Sequence, residues 1–187
     1  MFDLIQIIYW LALATWFGGV LFIAFAAPII MRTIRDDKPI LPGVLSVNLE
    51  GQHGTLLGGT VVGRIVEALF RIELVCAAVL LLALIAQWIV LHPIGRNLVP
   101  PLVRTALYVG AVALLIYHWR ILWPRLWNRR QEYIDHADEP EVANAALEQL
   151  DRLQGESAMV LLFLVTLLLG MIVFSANIRE PIVIPAP

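Results

Sequence analysis

Four stretches without a charged side chain limit what this chain can fold into. Three of them cover residues 4–31, 74–91 and 158–176, and the fourth lies between Arg104 and Arg120. A helix needs about 20 apolar residues to cross a bilayer, at a rise of about 1.5 Å per residue. The first three stretches meet that length, and the fourth does so when both arginines extend their side chains to the membrane surfaces. The pattern predicts an all-α membrane protein.

The composition supports the same class. Hydrophobic residues make up 60% of the chain and charged residues 15%, against about 45–50% and about 25% in soluble domains. The net charge of -2 argues against a nucleic-acid partner, since nucleic acids attract strongly basic surfaces. We expect the lipid bilayer as the main partner, together with helix–helix contacts to a second copy or to other membrane subunits.

These stretches predict a single domain, residues 1–187, built as a bundle of four transmembrane helices. We place the helices at about 4–31, 61–91, 102–127 and 157–178, with long loops at 32–60 and 128–156. Pro28 is expected to bend or end the first helix. We expect this helix to be retained rather than cleaved as a signal peptide, because Asp3 stands where a signal peptide has basic residues.

Basic residues set the predicted orientation, because cytoplasmic loops retain lysine and arginine. The two long loops and their helix flanks carry most of them: Arg32, Arg35, Lys38, Arg64, Arg71, Arg120, Arg125, Arg129, Arg130 and Arg152. The opposite side carries only Arg96, Arg104 and Arg179. We therefore expect both termini outside and both long loops in the cytoplasm, in the inner (cytoplasmic) membrane of a bacterium.

The second cytoplasmic loop contains a helical pattern of its own. Asp138 is a helix-capping residue type, and Glu141 three residues later completes the spacing of a capping box. Apolar residues then recur on one side of the pattern as far as Leu153. This predicts one cytoplasmic amphipathic helix over about 140–153, interrupted at Gly155.

Four charged residues open the second predicted helix. Arg64, Glu67 and Arg71 lie at i, i+3 and i+7 and share one helix face, whereas Glu73 points elsewhere and lies deepest. The favoured interpretation is structural pairing in the headgroup layer, because residues 74–91 already span the hydrocarbon core. The alternative is that these charges line a wet cavity between helices.

The histidines show no spacing typical of a metal or haem site. His53, His118 and His136 lie on the predicted cytoplasmic side and are the candidates for a metal site, although no cysteine joins them and none has i, i+4 spacing. His92 and His118 lie about 20 Å apart by helix rise, which excludes one shared haem iron. We predict no catalytic residue, no cofactor and no metal.

The first helix carries a motif for helix packing. Trp16 lies in mid-membrane, away from the interfaces that tryptophan prefers, and Gly18 and Gly19 follow it closely. Glycines allow two helix backbones to approach each other in lipid. We expect this motif to lie against another helix.

Three runs resemble one known family. They are Trp16-Phe17-Gly18-Gly19 leading to Pro28, Gly63-Arg64-Ile65-Val66-Glu67-Ala68-Leu69-Phe70, and Leu153-Gln154-Gly155-Glu156-Ser157. In these runs the chain is similar to the transmembrane-protein-205-like family, domain of unknown function 4149. The resemblance covers nearly the whole chain and implies a four-helix membrane protein with no established reaction. The family has histidine where this chain has Gln154, so any role of that histidine is absent or altered here.

The predicted function follows from the lack of a reaction centre and from the many small residues. We expect a protein that is not an enzyme and that acts as a scaffold or as a subunit of a larger membrane assembly. The alternative is a small transporter or a metal-handling membrane protein, which the charges at 64–73 and the histidines would serve. A haem-binding membrane protein is the third hypothesis.

The orientation can be tested with an impermeant thiol reagent on intact cells. In a Cys76→Ser background, single cysteines that replace Arg96 and Arg179 should react, because we place both positions outside. Cysteines that replace Lys38 and Asp135 should react only after lysis. The reverse labelling pattern would overturn the predicted orientation.

Overall fold

The computed structural model of the chain describes residues 2–36, 53–91, 99–136 and 139–176. Within these ranges every residue except His136 and Glu139 is helical. The elements are α1 (Phe2–Asp36), α2 (His53–Leu91), α3 (Val99–Tyr117), a π-helical turn (His118–Leu122), α4 (Trp123–Asp135) and α5 (Pro140–Ala176).

The described part of the chain contains four helices that are long and apolar enough to cross a membrane. They are Leu4–Ile34, Leu56–Ile89, Pro101–Asp135 and Pro140–Ala176. This is the architecture of an integral membrane protein. The predicted all-α class with four long apolar helices is thereby confirmed.

The third of these helices is continuous and consists of α3, the π-helical turn and α4. Pro124 explains why the turn lies where it does. Proline has no N–H to donate, and its ring displaces the carbonyl group four residues earlier. The Trp123 N–H donates to the His118 carbonyl, five residues back. The helix therefore widens by one residue just before the proline and continues instead of breaking.

The bundle pairs α1 with α2 and pairs α5 with α3 and α4, and contacts between α1 and α5 join the two pairs. Its core contains Trp16, Leu80, Leu115 and Leu164, one from each of the four long helices and all fully or almost fully buried. Outward-facing side chains such as Phe25 are apolar as well. Because lipid tails are as apolar as these side chains, close packing rather than exclusion of water holds the helices together.

A second, smaller core lies at the end of the bundle opposite the termini. It contains Leu56, Tyr133, Ala143 and Ala146, from α2, α4 and α5. The helices of 39 and 37 residues, α2 and α5, are about 55–60 Å long, against about 30 Å of hydrocarbon. Their ends must therefore project from the membrane, and the second core packs these projecting ends against each other.

The projecting ends correct the predicted loops. α1 continues through Pro28 to Asp36, and α2 begins at His53, so the loop predicted at 32–60 is too long. The segment predicted as the loop 128–156 is mostly helical, since α4 runs to Asp135 and α5 begins at Pro140, where the sequence predicted a helix within that loop. Hydropathy marks where a helix leaves the membrane, whereas contacts in the second core decide where it ends.

The separate amphipathic helix predicted at 140–153 is the first part of α5. The interruption predicted at Gly155 is wrong, because α5 continues through this residue. Gly155 is exposed, and one glycine in an exposed helix costs only about 1 kcal/mol relative to alanine. That cost is too small to end a helix held at both ends by packing. The predicted cap, Asp138, lies outside the described residues.

The motif around Trp16 faces two directions. Trp16 is fully buried in the core, and a Cβ atom added at Gly19 would lie 3.4 Å from Cδ2 of Leu69 on α2. A Cβ atom added at Gly18 would have no described atom within 4 Å. Gly19 therefore packs against α2, whereas Gly18 has no neighbour among the described residues of this chain, and its packing against another copy or subunit stays a prediction.

The two glycines provide a matched pair of substitutions. Gly19→Leu should lower the free energy of unfolding by about 1–3 kcal/mol, because the larger side chain forces α1 and α2 apart. Gly18→Leu has the same gain in helix propensity and no neighbour to displace, so it should not be destabilising. Thermal unfolding in detergent measures both. Equal stability of the two variants would show that Gly19 does not pack against α2.

Candidate functional site

A cavity of about 590 Å³ lies between α1, α2, α4 and α5, in the half of the bundle opposite the termini. Its size is within the range of about 300–1,000 Å³ found for small-molecule sites. Most of the wall is apolar, and five polar side chains interrupt it: Glu73, His118, Arg130, Gln154 and Ser157. This combination of an apolar wall and a few polar groups is typical of a ligand site.

Small residues and a proline create the space. Ala24 and Pro28 of α1, Gly59 and Gly63 of α2, and Ala158 of α5 all lie on the wall. Pro28 has no N–H, so the carbonyl group of Ala24 loses its usual helical donor. The cavity wall thus includes one backbone position where regular helical hydrogen bonding is interrupted.

Exposed side chains of α1 and α5 on the cavity wall indicate an opening toward lipid between these two helices. Phe25 and Leu162 lie on the wall and are 68% and 58% exposed. α1 and α5 meet at the other end of the bundle, where the hydroxyl groups of Tyr9 and Ser175 lie 2.7 Å apart. A molecule dissolved in the bilayer can therefore enter without passing through the core.

Glu73 is the acidic residue on the wall of this cavity. It is 4% exposed, and no described residue donates a hydrogen bond to it or pairs with it. Glu67, in contrast, lies 3.5 Å from Arg64 and 4.0 Å from Arg71 on an exposed face. The four charges singled out in the sequence therefore separate into an exposed, paired group of three and one buried carboxyl group.

His118 also lies on the cavity wall and begins the π-helical turn. Its Nε2 atom lies 2.8 Å from Oγ of Ser157, and the ring of Phe70 contacts it edge-on at 5.1 Å. A serine–histidine pair can form a nucleophile when a third group orients the ring and backbone N–H groups bind the oxyanion. Within the described ranges no group bonds the second ring nitrogen, and helical hydrogen bonds use the nearby N–H groups. The pair therefore brings hydrogen-bonding groups to the cavity wall.

The three histidines considered for a metal do not converge. His118 is buried within the bundle, whereas Nδ1 of His136 lies 3.6 Å from the carboxylate of Glu139 beyond the end of α4. Helix rise separates these two histidines by about 27 Å, so a site shared by both is excluded. The side chain of His53 is outside the described residues. In the described part of the chain, no three His, Cys, Asp or Glu residues are placed to hold a metal ion.

Arg104 is the residue that the sequence analysis placed wrongly. It was expected to extend to the membrane surface, but it is 0% exposed, and its guanidinium carbon lies 5.1 Å from the centre of the Tyr9 ring. Gln87 and Ser175 are buried at the same end of the bundle. The sequence does carry a signal for this cluster. Each of its polar residues interrupts an apolar run within about two turns of a helix end: Tyr9, Gln87, Arg104 and Ser175.

A second, shallower cleft of about 390 Å³ lies outside the bundle, beside the paired charges. Arg64 and Glu67 form one side of it, and Trp123, Trp127 and Asn128 form the other. Trp127 is 39% exposed there. The cleft offers aromatic and arginine side chains together, which are enriched where proteins contact one another.

No protein family matches the chain, and no curated protein or solved structure matches it either. The resemblance to the transmembrane-protein-205-like family therefore stays a prediction.

The buried carboxyl group of Glu73 should reduce the stability of the protein. Burying a polar group without a partner costs about 1–3 kcal/mol, so Glu73→Met should raise the free energy of unfolding by a similar amount. Glu67→Met is the matched control, since exposed ion pairs contribute only about 0–1 kcal/mol. Thermal unfolding in detergent measures both variants. A destabilised Glu73→Met protein would show that the carboxyl group has a structural partner.

Proposed function

We propose that this protein is a non-enzymatic membrane protein that binds a small, mostly apolar molecule carrying a cationic or hydrogen-bond-donating group. The observation that carries this proposal is the cavity that opens to lipid and contains Glu73. Its apolar wall suits the body of such a ligand, and the carboxyl group suits the polar end. Such a site best suits a small transporter, which is one of the alternatives from the sequence.

The polar groups of the cavity favour a cation over an anion. Glu73 has no partner among the described residues, whereas Arg130 already donates to the Leu56 carbonyl at 2.8 Å and to the Thr60 hydroxyl. His118 is held by Ser157. A carboxylate in an apolar cavity interacts far more strongly with a cation than it would in water. Glu73 is therefore the group we assign to the ligand.

The orientation argued from the basic residues completes the proposal. We place both termini outside and the second core, with its amphipathic part of α5, in the cytoplasm, in a bacterial inner membrane. The cavity then lies in the cytoplasmic half of the membrane. The polar residues Arg130 and Gln154 would line its cytoplasmic end, and the opening between α1 and α5 would face the hydrocarbon of the inner leaflet.

A role as a scaffold or as a subunit of a larger assembly is the second proposal. The outer cleft formed by Arg64, Glu67 and Trp127 supports it, because it presents charge and aromatic surface beside the membrane. Gentle purification from the native membrane should then yield a complex with another subunit or with a second copy. Recovery of a lone monomer would contradict this role.

Ligand binding can be tested with two ions of the same shape and opposite charge, tetraphenylphosphonium and tetraphenylborate. Equilibrium dialysis of the detergent-solubilised protein against empty micelles should show binding of the cation in preference to the anion. Glu73→Gln should weaken binding of the cation at least tenfold, equivalent to about 1.4 kcal/mol. Glu67→Gln, which changes a carboxylate outside the cavity, should leave the affinity unchanged.

A cavity-filling variant separates the cavity from the carboxylate. Ala158→Trp places a large side chain on the wall contributed by α5 and should remove binding of the cation while Glu73 remains. If both Glu73→Gln and Ala158→Trp bind the cation as tightly as the wild type, the proposed site is wrong.

A further inference from the structure

We propose that Arg104 binds an oxyanion of the phosphate type within the bundle, at the end where α1 begins and α5 ends. This site lies at the opposite end from the Glu73 cavity and does not depend on the ligand proposed there. Arg104 is 0% exposed, and its Nε, Nη1 and Nη2 atoms have no hydrogen-bond partner among the described residues. Guanidinium is charged at every physiological pH and carries five N–H donors.

No described side chain of the surrounding helices bonds to the guanidinium group of Arg104. Asp3, near the start of α1, has its side chain outside the described residues. The runs 4–20, 74–91, 99–117 and 158–176 contain no aspartate or glutamate, and Arg104 is their only charged residue. The ring of Tyr9 lies against the guanidinium group, 5.1 Å from its carbon atom. Such stacking uses the face of the guanidinium group. It leaves the N–H donors in the plane of the group available for a bidentate contact with an oxyanion.

The layer around Arg104 offers an acceptor as well as donors. The Tyr9 hydroxyl lies 2.7 Å from that of Ser175. Gln87 donates to Oε1 of Gln6 at 3.1 Å, one helical turn from Tyr9, and its own Oε1 atom is buried without a partner. A hydrogen phosphate group accepts from arginine through its charged oxygens and donates through its hydroxyl. It therefore satisfies both unpartnered groups, which a chloride ion does not.

The depth of the site indicates where the phosphate comes from. Arg104 lies five residues after Val99, where α3 begins, which places it about 8 Å from the helix end. The headgroup layer of a bilayer and the aqueous phase are both within reach of such a position. A lipid phosphate and a free phosphate share the chemistry that Arg104 recognises, and the experiment separates the two sources.

The experiment measures thermal unfolding of the full chain in an uncharged detergent. In one arm inorganic phosphate is added, with sodium chloride of equal ionic strength as control, and in the other phosphatidylglycerol is added. A ligand that binds the folded state alone raises the unfolding temperature with its concentration. Arg104→Met should weaken binding, judged from this shift, at least tenfold. Arg120→Met is the matched control, since Arg120 is exposed on the same long helix with its side chain over Trp119.

A shift with phosphate alone identifies a soluble ligand, a shift with phosphatidylglycerol alone identifies a lipid headgroup, and either supports the proposal. No shift in either arm, or equal shifts in wild type and Arg104→Met, would overturn it. If Arg104→Met does not fold, Arg104→Lys provides a second variant. It keeps the positive charge without the planar guanidinium group and should still bind phosphate or phosphatidylglycerol more weakly than wild type. Native mass spectrometry of the wild type then provides a direct test, and absence of a phosphate or phospholipid adduct would equally overturn the proposal.

Discussion

Backbone hydrogen bonding governs the shape of this bundle, because the interior of a bilayer offers no water to satisfy a free N–H or C=O group. Helices therefore continue wherever the chain permits, as α5 does through Gly155. Pro28 and Pro124 both remove a helical donor, and the chain bends or widens there rather than ending. The cavity contains Pro28 and the π-turn residue His118 on its wall. The site thus lies where two helices depart from regular hydrogen bonding.

The number and the approximate position of the membrane helices could be predicted from the sequence, because long uncharged apolar runs usually form membrane-spanning helices. The direction of individual side chains could not. Arg104 and Arg120 flank the same apolar run and were given the same role, yet one is buried and the other exposed. Hydropathy fixes the depth of a residue, whereas its rotation about the helix axis depends on packing with neighbours such as Tyr9. Glu73 illustrates the same point, since it lies only two residues beyond the exposed Arg71.

The second core escaped prediction for a related reason. Leu56, Tyr133 and Ala143 are far apart in the sequence, and none lies in a strong apolar run. Their association depends on the meeting of three helix ends outside the membrane, which no local pattern records. A candidate site faces the same difficulty, because Glu73 and His118 reach the wall of one cavity only through the packing of the helices that carry them.

The bundle keeps two charges of opposite sign at opposite ends of one apolar core. Trp16, Leu80 and Leu164 fill the space between the halves that contain Glu73 and Arg104. Each of these groups carries a free-energy cost when it is buried without a partner, about 1–3 kcal/mol for a polar group and more for a charged one. Packing elsewhere must offset both costs, which is the usual relation between stability and function in proteins. Natural selection for stability alone would have replaced both residues with apolar ones.

The unbroken course of α5 has a mechanical consequence. The same rigid helix carries Ala146 in the second core and Ser157 on the cavity wall, about 16 Å further along its axis. If α5 tilts as one body, a small tilt imposed on its projecting end moves the cavity wall by a proportionate distance. A partner that binds the projecting helix ends would therefore change the width of the opening between α1 and α5.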